Sequence, residues 1–125
     1  MNVTIYHNPH CGKSRAALRL LLDNGVEPRV VEYLKKPPSA AELDRILKAL
    51  GREPREVLRT QEEPYRELGL ADPATSRKAL LAAMAAHPIL IERPIVVAGN
   101  KAVVGRPPEA VLSLLARKAG RNSRA

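Results

Sequence analysis

A single cysteine, no tryptophan, no phenylalanine and only 3 tyrosines limit what this 125-residue chain can be. One cysteine, Cys11, excludes an internal disulfide and any cysteine-based structural zinc cluster. The shortage of aromatic rings argues against a surface that stacks single-stranded nucleic acid, and it leaves the core to Leu, Val, Ile and Ala. No apolar run approaches the roughly 20 residues that span a bilayer. The chain opens on a strand-like segment, without the basic and apolar regions of a secretory leader. The expectation is a soluble, cytoplasmic protein in a reducing setting, with no metal, no membrane partner and no nucleic-acid partner.

Positive charge is in excess, with 21 Lys and Arg against 13 Asp and Glu for a formal charge of +8. Four of those cations, Arg117, Lys118, Arg121 and Arg124, fall in the terminal stretch RKAGRNSRA, which contains no acid. Without that tail the excess is about +4, compatible with an anionic substrate without requiring one. No nucleic-acid motif accompanies the charge. The reading is one domain over residues 1–115 followed by a flexible basic tail at 116–125.

Along the chain, VTIY alternates and is rich in strand formers, so it reads as a first strand. Leu18, Leu21 and Leu22 recur at helical spacing between Lys13 and Asn24, and Asn24-Gly25 supplies a stop. RVVEY reads as a second strand, and a strand, helix and strand in about thirty residues make a βαβ unit with parallel strands. Ser39 and Glu42 have capping-box spacing ahead of Leu43, Ile46, Leu47 and Leu50, with Gly51 as terminator. Shorter helices are expected over Arg55–Arg59, Pro64–Leu68 and Ser76–Ala86, the last closed by His87-Pro88. PIVVAGNKAVVG gives two apolar runs around Gly99-Asn100, a hairpin with a tight turn. RPPEAVLSLLARK then starts a final helix, with proline early, Glu109 in its first turn and cations late. The order βαβ, a helical insertion at about 39–87, then ββα, describes an α/β, thioredoxin-like fold with a four-stranded mixed sheet.

Cys11 lies within YHNPHCGKSR, between the first strand and the first helix. A sulfur there faces unpaired backbone N–H groups, which lower a thiol pKa and also make an anion site; Lys13, Arg15 and the ring of His7 or His10 could add to this. The alternative is a cysteine packed as a small hydrophobe. The polar, turn-forming flanks NPH and GKS favour the reactive reading. Spacing then prunes the chemistry. A dithiol oxidoreductase needs a second cysteine at position 14, where Ser14 stands, and a C-x5-R phosphatase loop needs arginine at position 17, where Ala17 stands. A papain-like pairing would need a distant histidine, and His87, ahead of a proline at a helix end, reads as a capping or packing residue. Cys11 can therefore begin a covalent reaction but needs an external thiol to resolve the adduct.

CGKS is also close to the C-G-x-S of monothiol glutaredoxins, which hold an iron–sulfur cluster with glutathione. Those proteins have a shorter stretch before the proline-led hairpin and a Gly-Gly-x-Asp after it. Here 59 residues separate strand 2 from the hairpin, from Leu34 to Glu92, and VGRPPE stands where the Gly-Gly pair would fall.

Taken in order and spacing, IYHNPHCGKSR, EYLKKPPS, VLRTQEEPY, LGLA, HPILIERPIVV and VGRPPE resemble the glutathione/glutaredoxin-coupled arsenate reductases over about Thr4 to Leu115. The resemblance implies that Cys11 is the nucleophile, that His7 helps set its ionisation, and that Arg59, Arg93 and Arg106 bind the oxyanion. Nothing in the sequence alone selects these three among 14 arginines, although Arg93 and Arg106 each precede a proline at an end of the hairpin. The helix-start loop Gly12, Lys13, Ser14 and Arg15 would complete the cradle, and the bond to Pro94 would be cis, beside the cysteine loop. The implied activity is reduction of arsenate to arsenite in arsenic detoxification, through a Cys11 adduct resolved by glutathione and glutaredoxin. The protein would act as a monomer with no tightly bound cofactor, glutathione serving as co-substrate. The family also holds uncharacterised relatives and a transcription regulator whose C-x-x-C switch Ser14 removes, so the alternatives are a related thiol reductase on another substrate or a non-enzymatic, regulator-like member.

Overall fold

The computed structural model describes residues 2–115. They form two compact units: one from residues up to Glu32 together with those from Arg93 onward, the other from Tyr33–Glu92. The expected basic tail at 116–125, with the late cations of the final helix, lies outside the described residues.

The first unit holds a four-stranded mixed sheet, β1 (Val3–His7), β2 (Arg29–Glu32), β3 (Ile95–Ala98) and β4 (Lys101–Val104), in the order β2-β1-β3-β4. β1 pairs parallel with β2, Ile5 opposite Val30, and antiparallel with β3, Ile5 opposite Val96. A two-residue turn joins β3 to β4, Ala98 facing Lys101, with positive φ at Gly99 alone (+63°), the position where a type II′ turn needs glycine.

Helix α1 (Gly12–Asp23) crosses from β1 to β2 and lays Ser14, Ala17 and Leu21 against the sheet, a spacing that puts them on one helical face. Val3, Ile5, Ala17, Leu21, Val96 and Val111 form one buried cluster. Because strand side chains alternate, Val3, Ile5 and His7 share the face of β1 that α1 covers. The apolar β1/α1 interface thus ends, toward the start of α1, in His7 and Ser14, the buried polar residues of the described chain. The final helix begins as a 3₁₀ turn at Pro108–Val111, which packs near α1, and runs on helical from 112 to 115.

The second unit is helical. α2 (Ala40–Leu50) starts where Ser39 Oγ accepts from the N–H of Glu42 and ends at Gly51 in the left-handed region (φ +69°). α3 spans Glu63–Glu67, and α4 (Arg77–Ala86) is capped by Ser76, whose Oγ accepts from the N–H of Ala79. Leu43, Ile46 and Leu47 of α2 and Leu80, Leu81 and Met84 of α4 are buried, and the two helices pack together. Arg77 ties them outside the core by pairing with Asp44 and Glu53.

The helix expected over Arg55–Arg59 is instead a 3₁₀ turn at Pro54–Val57. Leu58 is extended and forms an antiparallel bridge with Ile91, with Glu92 N–H donating to Val57 O and Arg59 N–H to Leu90 O. Pairing with a distant segment overrides the local helical pattern there. α4 closes at His87, its N–H donating to Ala83 O, immediately before Pro88.

Candidate active site

The site is built where β1 gives way to α1. The loop between them is closed by Asn8. Its carbonyl accepts the N–H of Cys11 at 3.0 Å, its Oδ1 accepts the N–H of His10 at 2.9 Å, and its own N–H donates to Ser14 Oγ at 3.0 Å. Arg15 braces the outside of the loop by donating from Nη1 to Pro9 O at 2.9 Å. The sequence marks Asn8-Pro9 only as turn-forming; the recurrent bonding of Asn to its own following backbone is the signal that points to this role.

Cys11 takes the N-cap position of α1 with an extended backbone (φ −100°, ψ 123°) and is partly exposed. Its carbonyl accepts the N–H of Arg15, the first turn of the helix. Burial alone would push the thiol up, but it is outweighed. The backbone N–H groups of Ser14 and Lys13 donate to the sulfur, and the Arg93 guanidinium adds its charge and a hydrogen bond, holding the thiol below its ordinary value. A partly exposed thiol at a helix start, its charged form favoured by two amides and an arginine, is placed as a reactive cysteine would be rather than as a packed hydrophobe.

Arg93 sits at the head of β3 with Nε and Nη1 buried. The Arg93–Pro94 bond is cis, and so is Arg106–Pro107, a second cis bond that the sequence reading did not anticipate. Arg106 follows β4 and reaches back, Nη1 donating to Arg93 O at 3.3 Å. The hairpin thereby brings together the two arginines that flank it.

His7 is 6% exposed, and its Nδ1 is hydrogen-bonded to Ser14 Oγ at 2.6 Å. Desolvation lowers its pKa below the ordinary imidazole value; Glu32 opposes that shift and Arg15 adds to it. Burial thus favours the neutral form of the ring.

The structure thus gathers Cys11, His7, Gly12, Lys13, Ser14, Arg15, Arg93, Pro94 and Arg106 in the first unit. Arg59 belongs to the second unit, where it pairs with Glu62 at 3.3 Å. No cluster of His, Cys, Asp and Glu able to hold a metal ion occurs among the described residues, and none of their helices is long and apolar enough to cross a membrane.

The model of the ArsC family matches residues 6–114. The chain belongs to the ArsC family. Among ArsC relatives, a protein of Escherichia coli (strain K12) named "Uncharacterized protein YfgD" is 55% identical over 114 residues, covering 90% of this chain and 96% of that one. An arsenate reductase of Rhizobium meliloti is 52% identical over 115 residues, covering 92% of this chain and 82% of that one. A solved structure of an arsenate reductase from Vibrio cholerae is 54% identical and superposes with a TM-score of 0.88 over 90% of this chain and 97% of that one. These likenesses agree with the thioredoxin-like, α/β reading of the four-stranded sheet.

Proposed function

We propose that this ArsC-family protein is an arsenate reductase that works with glutathione and glutaredoxin. The observation that carries the reading is the Cys11 thiol, held toward its thiolate by two helix-start amides and Arg93, in a chain that has no second cysteine. Relatives named arsenate reductase supply the substrate.

A tetrahedral oxyanion is matched by planar guanidinium donors better than by ammonium. Arg93 and Arg106, adjacent at the hairpin's ends, serve as those donors beside the amides that follow Cys11; Arg59 enters the set on the family resemblance alone. The thiolate forms a bond to arsenic(V) while one arsenate oxygen, taking up two protons, leaves as water. The guanidinium groups stabilise the charge on the remaining oxygens as that bond breaks. Glutathione then attacks the adduct, its sulfur bonding to arsenic while a second oxygen, taking up two protons, leaves as water. A glutaredoxin thiol attacks the glutathionyl sulfur to form a mixed disulfide, leaving the electron pair of the broken arsenic–sulfur bond on arsenic as arsenic(III). Water then hydrolyses the Cys11–arsenic bond, releasing arsenite and restoring the thiol. Phosphate has the same shape and charge but resists reduction by thiols, so selectivity lies in the chemistry more than in binding. The protein acts in the cytoplasm as a monomer, with glutathione as co-substrate and no tightly bound cofactor.

The test is arsenate-dependent oxidation of glutathione by the purified protein with glutaredoxin, and its loss in Cys11→Ser. Turnover of a glutathionylated peptide without turnover of arsenate would assign the site to another thiol substrate.

A further inference from the structure

Ser14 occupies the position at which a dithiol oxidoreductase carries its second cysteine, yet its hydroxyl turns into the protein. It is fully buried and makes two hydrogen bonds, one to Nδ1 of His7 at 2.6 Å and one from the N–H of Asn8 at 3.0 Å. Both partners lie at the end of β1, so one side chain in the first turn of α1 fastens that turn to the strand before it. The same residue's backbone N–H, with that of Lys13, donates to the sulfur of Cys11. The hydroxyl fixes the residue whose amide holds the thiolate.

We propose that Ser14 is a positioning residue for the nucleophile, and that His7 acts on Cys11 through Ser14 rather than by touching the sulfur. The face that carries His7 is set by strand alternation, Val3 and Ile5 being buried beneath α1 on the same side. Ser14 leads the buried stripe that continues with Ala17 and Leu21. The pair therefore meets, buried, where the apolar interface ends. Removing one partner from such a buried pair strands the other, and the first turn of α1 relaxes to satisfy it. Asn8 couples the same movement to the loop, because it donates to Ser14 and accepts from Cys11. The charged groups bearing on His7 are Glu32, one strand away, and Arg15, one residue past Ser14. Both act on the ring, and the hydroxyl bonded to the ring belongs to the residue whose N–H donates to the sulfur.

The inference rests on Cys11 being the nucleophile and is independent of arsenate being the substrate, so its test contains no arsenate. The thiolate of Cys11 is titrated by its ultraviolet absorbance and by its rate of alkylation in the wild-type chain, Ser14→Ala, Ser14→Thr, His7→Ala and His7→Asn, with folding checked by circular dichroism. Ser14→Ala should move the titration midpoint up and slow alkylation below that midpoint on the order of tenfold. Ser14→Thr, which keeps the hydroxyl, should stay near wild type. His7→Asn places an amide where Nδ1 lies and should also stay near wild type, whereas His7→Ala should follow Ser14→Ala. A folded Ser14→Ala chain with the wild-type midpoint overturns the role of the hydroxyl. A His7→Asn chain as impaired as His7→Ala overturns the route through Ser14, because it would show that the ring itself is required. A failed arsenate assay alongside the expected titrations would overturn the substrate and leave the positioning role standing.

Discussion

The N–H of Gly105 donates to the carbonyl of Pro94 at 2.8 Å, and a Cβ at position 105 would lie 2.8 Å from Cγ of that same proline. Arg93 precedes this proline and Arg106 follows this glycine. The absence of a side chain at one residue therefore lets the two ends of the hairpin close, with Arg106 donating to Arg93 O. The hypothetical Cβ would also come within 3.2 Å of Val111 Cγ1 and 3.4 Å of the Ala17 Cβ. None of these atoms is the loose end of a long side chain, so space rather than backbone freedom demands glycine here.

Gly105→Ala is accordingly expected to destabilise the chain by about 1–3 kcal/mol through overpacking. Chemical denaturation measures this, and a midpoint equal to wild type would show that the hairpin yields without cost. The same substitution should weaken oxyanion binding, since both arginines ride on the displaced ends.

The guanidinium of Arg93 supports the Cys11 thiolate through charge and a hydrogen bond. Arg93→Ala should move the thiol's titration toward its ordinary value of 9.0. The alkylation rate against pH then shifts its rise to higher pH. Arg93→Lys should restore part of the thiolate but little of the arsenate turnover, because ammonium lacks the planar fork. Equal recovery of both would contradict the oxyanion role.

The lowered pKa of His7 predicts a loss of stability in acid. Unfolded, the ring binds its proton at the ordinary value of 6.5; folded, desolvation lowers that value. Between the two pKa values the unfolded state binds more protons, so stability falls as pH drops below about 6.5 and levels off beneath the folded pKa. Urea midpoints across that range should fall more steeply in wild type than in His7→Asn, which does not titrate there. Parallel slopes would show that other groups carry the acid loss.

Leu21 is fully buried in the cluster that joins α1 to the sheet. Leu21→Ala should cost about 2–5 kcal/mol, read as a lowered denaturation midpoint. In contrast, Leu22→Ala, at a position 47% exposed, should change little.

Much of this was legible in the chain. The strands, the Gly99 turn, the Ser39 and Ser76 starts and the Gly51 stop are local events, written in residues that sit next to one another. Cys11 was readable as a helix-start thiol because strand, turn and helix each leave a pattern within about twenty residues. The direction of the Ser14 hydroxyl was not, since it depends on which face of β1 carries His7 once α1 has packed. Asn8 shows only as part of a turn until three of its groups find partners. Gly105 looks like the end of an apolar run, and its close approach to Pro94 exists only when β3 and β4 have paired. Arg55 to Arg59 misled for the same reason: Leu58 leaves its local helix pattern to bridge Ile91, 33 positions away. The arginines are the extreme case, because a guanidinium on a surface and one over a sulfur are the same letter.

The central claim is tested most directly by combining the reduced protein with arsenate, glutathione and glutaredoxin and measuring arsenite formed against glutathione oxidised. The account predicts arsenite in proportion to glutathione disulfide, abolished by Cys11→Ser and sharply lowered by Arg93→Ala. No arsenite from a chain whose Cys11 is shown to be reduced and reactive would contradict it.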